Sequence, residues 1–321
     1  TTLFRSSGIY KSLPSGDEDD ETTIVLGGDS GSTYTAQEMT RNLAKVKPDL
    51  IVISGDSAYD NGIKACWYSW DLFLWMFEDL NKALGVTIPL VIGIGNHDIG
   101  YHANTGLAVD EDDIPTQFYF IPENLQYNQN GELLPAVPDI KSRRTYFYNK
   151  VGNAIFFALD SDYGAHFDGE QKEFIEALCE KYPKAAKFAH YHVPLFPICN
   201  DDPHNPVDFQ EYGQEVWARL FEKYKFNGVF ENHVHMFKKT PPLTNGHIDY
   251  ENGITYYGDG NWGAVPDKCE MRLFNASGKL EAGGSYNHVW VLKLKGREYE
   301  IFPVNKTGIQ FYPSTKGQIS S

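Results

Sequence analysis

Hydrophobic and polar positions follow a repeated order along this chain: a short apolar run, a turn containing Gly with Asp or Asn, and a stretch with helical spacing. This order predicts strands that end in polar turns and are joined by helices. The first strands are predicted at 23–26, 50–53 and 89–94, with helices at 36–46 and 66–84. Alternating strands and helices are typical of parallel βαβ units with right-handed crossovers.

The second half of the chain repeats this order after an irregular stretch. Residues 100–145 contain several prolines and an acidic run, and we interpret them as a long insertion. A helix is predicted at 169–182, and further strands are predicted at 146–150, 153–159, 186–189, 226–230, 254–257, 288–294 and 299–304. We find no internal repeat, and we predict one α/β domain with mixed sheets over 23–312, between an acidic lead-in (1–22) and a tail (313–321).

The polar residues collect where the predicted strands end. Because the carboxyl ends of parallel strands meet at one edge of a sheet, these side chains are expected to converge. The candidates are Asp29, Asp56, Tyr59, Asn96, His97, His192, His233 and His235. Carboxylate, phenolate, amide and imidazole donors suit iron, manganese or zinc, and alternate residues of a strand such as His233 and His235 point to one face.

A donor set of this size is sufficient for two metal ions that share one carboxylate. Two ions about 3.5 to 4 Å apart bind phosphoryl oxygens and lower the pKa of a bound water, which supplies hydroxide near neutral pH. The chemistry predicted from these residues is phosphoester hydrolysis.

Composition and charge narrow the class of protein. A chain of 321 residues buries enough surface to fold without a structural metal, so a metal site is expected to be functional. The 28 basic and 43 acidic residues give a net charge of −15, which argues against nucleic acid as a partner. No window of 18 apolar residues occurs, so no membrane span is predicted. The sequence leaves the oligomeric state open.

The cysteines and glycosylation sequons bear on the compartment. Cys66, Cys179, Cys199 and Cys269 form no Cys-x-x-Cys pair, and three disulfide pairings remain open. Two acceptor triplets begin at Asn275 and Asn305, and the chain starts at Thr1 without a methionine. We therefore expect a processed glycoprotein that is secreted or resides in a secretory or lysosomal-type compartment, although a trimmed chain also fits.

Five motifs in chain order resemble those of the calcineurin-like metallophosphoesterase superfamily. They are Gly28-Asp29-Ser30-Gly31, Gly55-Asp56 with Tyr59, Gly95-Asn96-His97-Asp98, His192-Val193-Pro194 and His233-Val234-His235. Tyr59 stands where purple acid phosphatases place the tyrosinate ligand of ferric iron, and the resemblance covers roughly residues 24–304. It implies a four-layer αββα sandwich of two mixed β-sheets flanked by helices.

The resemblance also implies a division of the ligands between two metals. Ferric iron would be bound by Asp29, Asp56, Tyr59 and His235. A divalent iron, zinc or manganese ion would be bound by Asp56, Asn96, His192 and His233, so that Asp56 bridges the two. A ferric and a divalent ion carry five positive charges against three negative charges from two carboxylates and a tyrosinate, so the site would attract phosphate.

Three further residues are implied to act on the substrate. His97 resembles the histidine that contacts the phosphate or leaving group, alongside Asn96, and Asp98 would orient or polarise it. His204 is a second candidate acid, and 258–261 resembles a late motif beside the site. The implied activity is that of a binuclear acid phosphatase, which hydrolyses small phosphate monoesters by attack of metal-bound hydroxide.

The sequence departs from the family's motifs at two places. Asn232 replaces the usual Gly and is expected to tolerate a positive φ, and Phe237-Lys238-Lys239 replaces the usual Tyr-Glu-Arg. His190 is interpreted as a structural neighbour of the site, and the aromatic residues of 67–77 as helix packing.

The alternative functions are a phosphodiesterase or nucleotidase on the same scaffold, or a metal-binding scaffold protein without turnover.

Overall fold

A computed structural model describes residues 9–12, 20–100, 115–199, 205–258, 260–267 and 277–319. In chain order its strands are β1 (Glu21–Gly27), β2 (Leu50–Ile53), β3 (Leu90–Ile92), β4 (Phe147–Val151), β5 (Ala154–Ala158), β6 (Ala186–His190), β7 (Gly228–Phe230), β8 (Phe237–Lys239), β9 (Leu243–Thr244), β10 (His247–Ile248), β11 (Tyr256–Gly258), β12 (Ala282–Gly284), β13 (His288–Lys295), β14 (Glu298–Asn305) and β15 (Thr315–Gln318). The α-helices are α1 (Tyr34–Asn42), α2 (Trp67–Leu84), α3 (Glu170–Lys181), α4 (Val207–Gly213) and α5 (Arg219–Lys223).

Two mixed sheets form the framework. The first has the strand order β15-β14-β13-β1-β2-β3, in which β1, β2 and β3 are parallel and the others pair antiparallel. The second has the order β12-β8-β11-β7-β6-β5-β4, with β5, β6, β7 and β11 parallel. A separate hairpin pairs β9 with β10. The predicted mixed sheets are confirmed.

Three apolar cores show how the layers stack. One lies between the sheets, where Leu26 and Val52 of the first sheet belong to the same cluster as Phe156 and Phe188 of the second. The outer face of the first sheet packs against α1 and α2, and the outer face of the second packs against α3, α4 and α5. Both faces of each sheet are therefore buried, which explains the nearly continuous apolar runs of the parallel strands. The four-layer αββα prediction is confirmed.

Some elements differ from the sequence interpretation. The segment 207–223 carries no helix prediction, yet α4 continues through a π-helical stretch (Gln214–Ala218) into α5. Within the predicted tail, β15 pairs as an edge strand with β14, and its polar sequence carries no strand signal. Within the predicted insertion, 115–145 forms short 3₁₀ turns and irregular chain. No helix among the described residues is both long and apolar enough to cross a membrane.

The interpretation of the α2 aromatic residues as helix packing holds for one face of the helix. Trp70, Phe73 and Phe77 are buried against the first sheet. Trp67 and Trp75 lie on the other side and are 61% and 47% exposed. The helix therefore presents aromatic residues on both faces, and its hydrophobic sequence overstates how much of it is buried.

Candidate metal centre

The carboxyl ends of strands from both sheets bring the candidate ligands together. In the first sheet, the loops after β1, β2 and β3 carry Asp29, Asp56 with Tyr59, and Asn96. In the second sheet, the loops after β6 and β7 carry His192 and the pair His233 and His235. The two sheets meet along their inner faces, so ligands separated by more than 200 residues in sequence converge at one end of the sandwich.

One donor group lies on the side of Tyr59. Ligand atoms of Asp29, Asp56 and His235 lie within 4.8 Å of one another. The Nε2 atom of His235 is 3.1 Å from Oδ1 of Asp29 and 3.0 Å from the hydroxyl of Tyr59. All four predicted ligands of the first metal therefore meet in this group.

A second donor group shares Asp56 with the first. Ligand atoms of Asp56, His192 and His233 lie within 4.8 Å of one another. The Oδ1 atom of Asn96 is 2.8 Å from Nε2 of His192 and 3.0 Å from Nδ1 of His233. The structure thus brings all seven predicted ligands into two adjoining groups joined by Asp56.

The polar atoms of these groups fit a pair of cations. Oδ2 of Asp56 is buried and accepts no hydrogen bond from any described residue, although Nε2 of His192 lies 3.3 Å away. Nδ1 of His192 is 3.1 Å from the carbonyl oxygen of Ser54, a contact that leaves Nε2 to face Asp56 and Asn96. A buried carboxylate oxygen that accepts no hydrogen bond is stabilised by a cation beside it, either a protonated His192 ring or a metal ion, so the site is suited to metal binding.

Comparison with known proteins agrees with this geometry. The family model described as calcineurin-like phosphoesterase matches residues 22–237, more than half of the chain. The chain belongs to the calcineurin-like phosphoesterase family. The fold and family predictions are thereby confirmed.

The relatives of this phosphoesterase are purple acid phosphatases. It is 25% identical over 273 residues to a probable inactive purple acid phosphatase 24 and 23% identical over 250 residues to purple acid phosphatase 15, both of Arabidopsis thaliana. These matches cover 76% and 70% of the chain but only 40% and 42% of the relatives, so the chain spans about two fifths of their length. The predicted resemblance to purple acid phosphatases is confirmed.

Solved structures show the same fold. A purple acid phosphatase from yellow lupin seeds superimposes with a TM-score of 0.70 at 16% identity, over 96% of this chain and 55% of that one. GAP50, described as the anchor in the inner membrane complex of Plasmodium, superimposes with a TM-score of 0.57 at 13% identity, over 94% and 90%. One fold therefore serves proteins described in very different terms.

The backbone of the phosphoesterase is left-handed at five of the seven candidate ligands. The φ angles are 55° at Asp29, 50° at Asp56, 55° at Tyr59, 79° at His233 and 54° at His235. Residues with a Cβ adopt this conformation at a cost, and such residues concentrate at functional sites. The backbone of these loops is therefore strained, and this conformation orients the side chains toward the site.

The His-x-His pair converges for a different reason from the one expected. His233 and His235 lie in the loop after β7, not on the strand, so strand alternation does not orient them. The positive φ expected at Asn232 is absent there and falls on His233 instead. Asn232 is buried, and its side chain donates to the Tyr191 carbonyl at 2.8 Å. Side-chain hydrogen bonding, rather than backbone tolerance, accounts for the asparagine.

Burial and charge together set the ionisation of the centre. Burial alone would raise the pKa of Asp56, but the adjacent His192 and His97 hold it well below its usual range. Burial works against protonation of His192, yet Asp56 and Asp29 raise the pKa of that ring to about 9. Burial, with Asp29 and Asp56 nearby, raises the pKa of Tyr59 well above its usual value. A cation in the site is therefore needed for Tyr59 to ionise.

Asp98 contacts the Asp56 loop instead of polarising the His97 ring. It is fully buried, and Oδ2 accepts the backbone N–H groups of Gly95 at 2.9 Å and Asp56 at 2.7 Å. Its Oδ1 accepts the N–H of Ser57 at 3.0 Å. Asp98 therefore holds the backbone of the loop that carries Asp56. Sequence spacing alone does not distinguish this contact from one with the His97 ring.

His97 borders the donor groups, and its side chain is 27% exposed. Its Nε2 is 3.8 Å from Oδ2 of Asp56, and its Nδ1 contacts the side-chain oxygen of Asn61. Burial lowers the pKa of His97, against the opposing effect of Asp56, so its protonation moves to more acidic pH. The other candidate acid, His204, lies outside the described residues, as does Asp259 of the late motif. Gly260 of that motif borders the site, directly beside the Asp29 carboxylate.

Two residues near the centre are missed by the sequence analysis. Asn61 contacts His97, and the hydroxyl of Tyr163 lies 3.4 Å from Oδ1 of Asn96. Tyr163 follows β5 in a turn that contains Asp160 and Gly164, which is the same strand-end pattern that marks the ligands. That turn is the feature of the sequence from which Tyr163 could have been predicted to lie near the site. His190, interpreted as structural, has Nδ1 3.0 Å from the Ser54 hydroxyl.

Proposed function

We propose that this phosphoesterase is a binuclear acid phosphatase that hydrolyses small phosphate monoesters. The observation that carries the proposal is the pair of buried donor groups that share Asp56, with Tyr59 in one group and Asn96 in the other. Bound there, two ions would polarise phosphoryl oxygens and lower the pKa of a water to make it nucleophilic. We assign ferric iron to the Tyr59 side and divalent iron, zinc or manganese to the other.

The residues of this chain would then orient the ester and manage its protons. Asn96 is a buried donor of the second group, and the partly exposed His97 lies 3.8 Å from Oδ2 of Asp56; we assign both to contacts with phosphate oxygens. His97 would protonate the leaving group, and we retain His204 as a second acid. Burial lowers the pKa of His97, so the ring takes up its proton at more acidic pH, and we propose an acidic pH range for the activity.

We further propose a secreted or lysosomal-type location. Cys199 is disulfide-bonded, whereas Cys66 and Cys179 are free thiols. A structural disulfide favours an oxidising compartment. Asn305, the first residue of one sequon, lies half-buried at the end of β14 and is the candidate acceptor. Glycosidase treatment of protein from a eukaryotic host tests this, with Asn305→Gln as the variant that should lose a glycan.

A scaffold without turnover is the second candidate. It is favoured by the naming of three of the curated relatives as probable inactive phosphatases. Against it, all seven ligand positions of this chain are filled by donors that converge. The phosphatase, the diesterase and the scaffold share this ligand set and differ in their turnover of monoesters and diesters.

The deciding experiment measures metal content and hydrolysis on the same sample. We expect about two metals per chain, a visible absorption band from the tyrosinate and faster hydrolysis of p-nitrophenyl phosphate than of bis(p-nitrophenyl) phosphate. Asp56→Asn should abolish hydrolysis, whereas Asp79→Asn on the exposed face of α2 should not. Faster diester hydrolysis would favour the diesterase, and full metal loading without turnover on either ester would favour the scaffold.

A further inference from the structure

A buried ion pair lies beneath the loops that carry the three ligand histidines. Glu231, directly after β7, and Lys238, in β8, have fully buried side chains and pair with each other. Glu231 precedes His233 by two residues, and Lys238 follows His235 by three. We propose that this ion pair positions His192 against His233 and thereby sets the affinity of the second metal site; the inference rests on the proposed binuclear function.

The carboxylate of Glu231 contacts residues that precede and follow His192 in the chain. Its Oε1 accepts the hydroxyl of Tyr191 at 2.7 Å and the backbone N–H of Leu195 at 2.7 Å. Tyr191 precedes His192 directly, and Leu195 follows it by three residues. Rotation or displacement of the His192 loop therefore breaks hydrogen bonds to a buried charge, which are among the stronger ones in proteins.

Lys238 extends the same connection from the other end of the His233 loop. Its ammonium pairs with Oε2 of Glu231 and donates to the carbonyl of Phe196 at 2.7 Å. Asn232 adds a backbone contact, because its N–H donates to the carbonyl of His192 at 2.9 Å. The two histidine loops are thus joined at several points, and Nε2 of His192 lies 3.3 Å from Nδ1 of His233.

Stability alone is a poor explanation for this pair. Burying two charges costs solvation that their attraction only offsets, and apolar residues of similar volume often serve stability equally well. Unlike apolar residues, the ion pair makes directional hydrogen bonds, and its donors and acceptors hold the two loops at a fixed spacing. Lys238 also occupies one of the positions where the sequence departs from Tyr-Glu-Arg, so this chain provides its own polar support at that point.

The test compares Zn²⁺ binding by chelator-treated wild type and Lys238→Met. We expect the variant to bind the second Zn²⁺ about 10- to 100-fold more weakly, the range seen when partners of metal ligands are lost. In a His192→Ala background the same substitution should leave Zn²⁺ affinity unchanged, because the ligand that it positions is gone. Lys238→Arg, which keeps the charge, should restore part of the affinity.

A matched control is available on the same strand. Lys239 pairs with Glu281 at 2.6 Å, on the face of β8 opposite Lys238. Lys239→Met therefore removes a neighbouring ion pair without touching the histidine loops, and it should retain wild-type Zn²⁺ affinity. If Lys238→Met does not fold, the doubly apolar variant Glu231→Met with Lys238→Met leaves no uncompensated charge and should fold while still binding the second Zn²⁺ weakly.

The outcomes separate the two proposals. If Lys238→Met or the double variant binds both Zn²⁺ ions as tightly as the wild type, the positioning role is overturned. Weaker Zn²⁺ binding must reduce the rise in melting temperature that Zn²⁺ produces. If Lys238→Met lowers the melting temperature by the same amount with and without Zn²⁺, the ion pair is therefore structural only. If the wild type itself binds fewer than two ions, the binuclear function fails, and the positioning role fails with it.

Discussion

Gly260→Ala tests whether the Asp29 carboxylate is held where the structure places it. Gly260 has a φ of 63°, and a Cβ added there would overlap Oδ2 of Asp29 and lie 2.7 Å from Cβ of Asn232. Asp29 is fully buried, and its Oδ2 accepts the N–H of His233 at 2.9 Å. The substitution must therefore displace a proposed metal ligand and break the hydrogen bond that joins the first strand-end loop to the His233 loop.

The expected cost has two parts. A residue with a Cβ in the left-handed region costs about 1 to 2 kcal/mol. Forcing extra volume into a packed site costs a further 1 to 3 kcal/mol, roughly, so the free energy of unfolding of the metal-free protein should fall by about 2 to 5 kcal/mol in total. Gly85→Ala is the matched control, because Gly85 has a φ of 70° and a Cβ added there would have no heavy atom of the described residues within 4 Å.

The assay is urea denaturation of chelator-treated protein, followed by Zn²⁺ titration of each variant. Gly85→Ala should lose only the backbone contribution, about 1 to 2 kcal/mol, and keep wild-type Zn²⁺ affinity. Gly260→Ala should lose more and bind Zn²⁺ more weakly. Equal losses of stability in the two variants, with unchanged Zn²⁺ affinity in Gly260→Ala, would refute the packing of Asp29 against Gly260.

Three further predictions concern single residues. Tyr59→Phe should abolish the visible band while two metals remain bound, and an unchanged spectrum would exclude Tyr59 as the chromophore. Asp98→Asn should destabilise the protein by about 1.5 to 3 kcal/mol in urea, because its amide must face one of three backbone N–H groups; unchanged stability would contradict those bonds. Burial lowers the pKa of His190 to about 3, so the stability it contributes above pH 6.5 is lost as pH falls toward 3. Compared with His190→Asn, the wild type should lose about 2 kcal/mol more between about pH 7.5 and pH 5, and equal pH dependence in denaturation would contradict the prediction.

The side chains that form the candidate metal centre were predictable because they follow strand ends. Parallel strands place their carboxyl ends together, so polar residues after apolar runs identify members of one site without any knowledge of distance. Within each sheet the ligand candidates converge for this reason, and the stacking of the two sheets brings both sets together. The mixed sheets were predictable from the same apolar runs, whereas the polar edge strand β15 and the helix pair α4 and α5 were not.

The roles of neighbouring residues depended on tertiary contacts. Asp98 is adjacent to His97 in sequence, yet its oxygens accept N–H groups from the loop of Asp56, 41 or 42 residues away. The sequence does not identify Glu231 and Lys238 as partners, and only the packing of the second sheet buries them as a pair. Hydrogen-bond partners are chosen by orientation in space, which sequence spacing does not specify.

The amino-acid sequence by itself determined which donors this protein brings to one end of its sheets, because hydrophobic periodicity and polar turns are local properties of the chain. The tertiary structure alone decided how those donors are held: a left-handed backbone at five ligands, a glycine against Asp29 and a buried ion pair beneath the histidines. These features are strained or desolvated, so they persist only where the rest of the fold stabilises them.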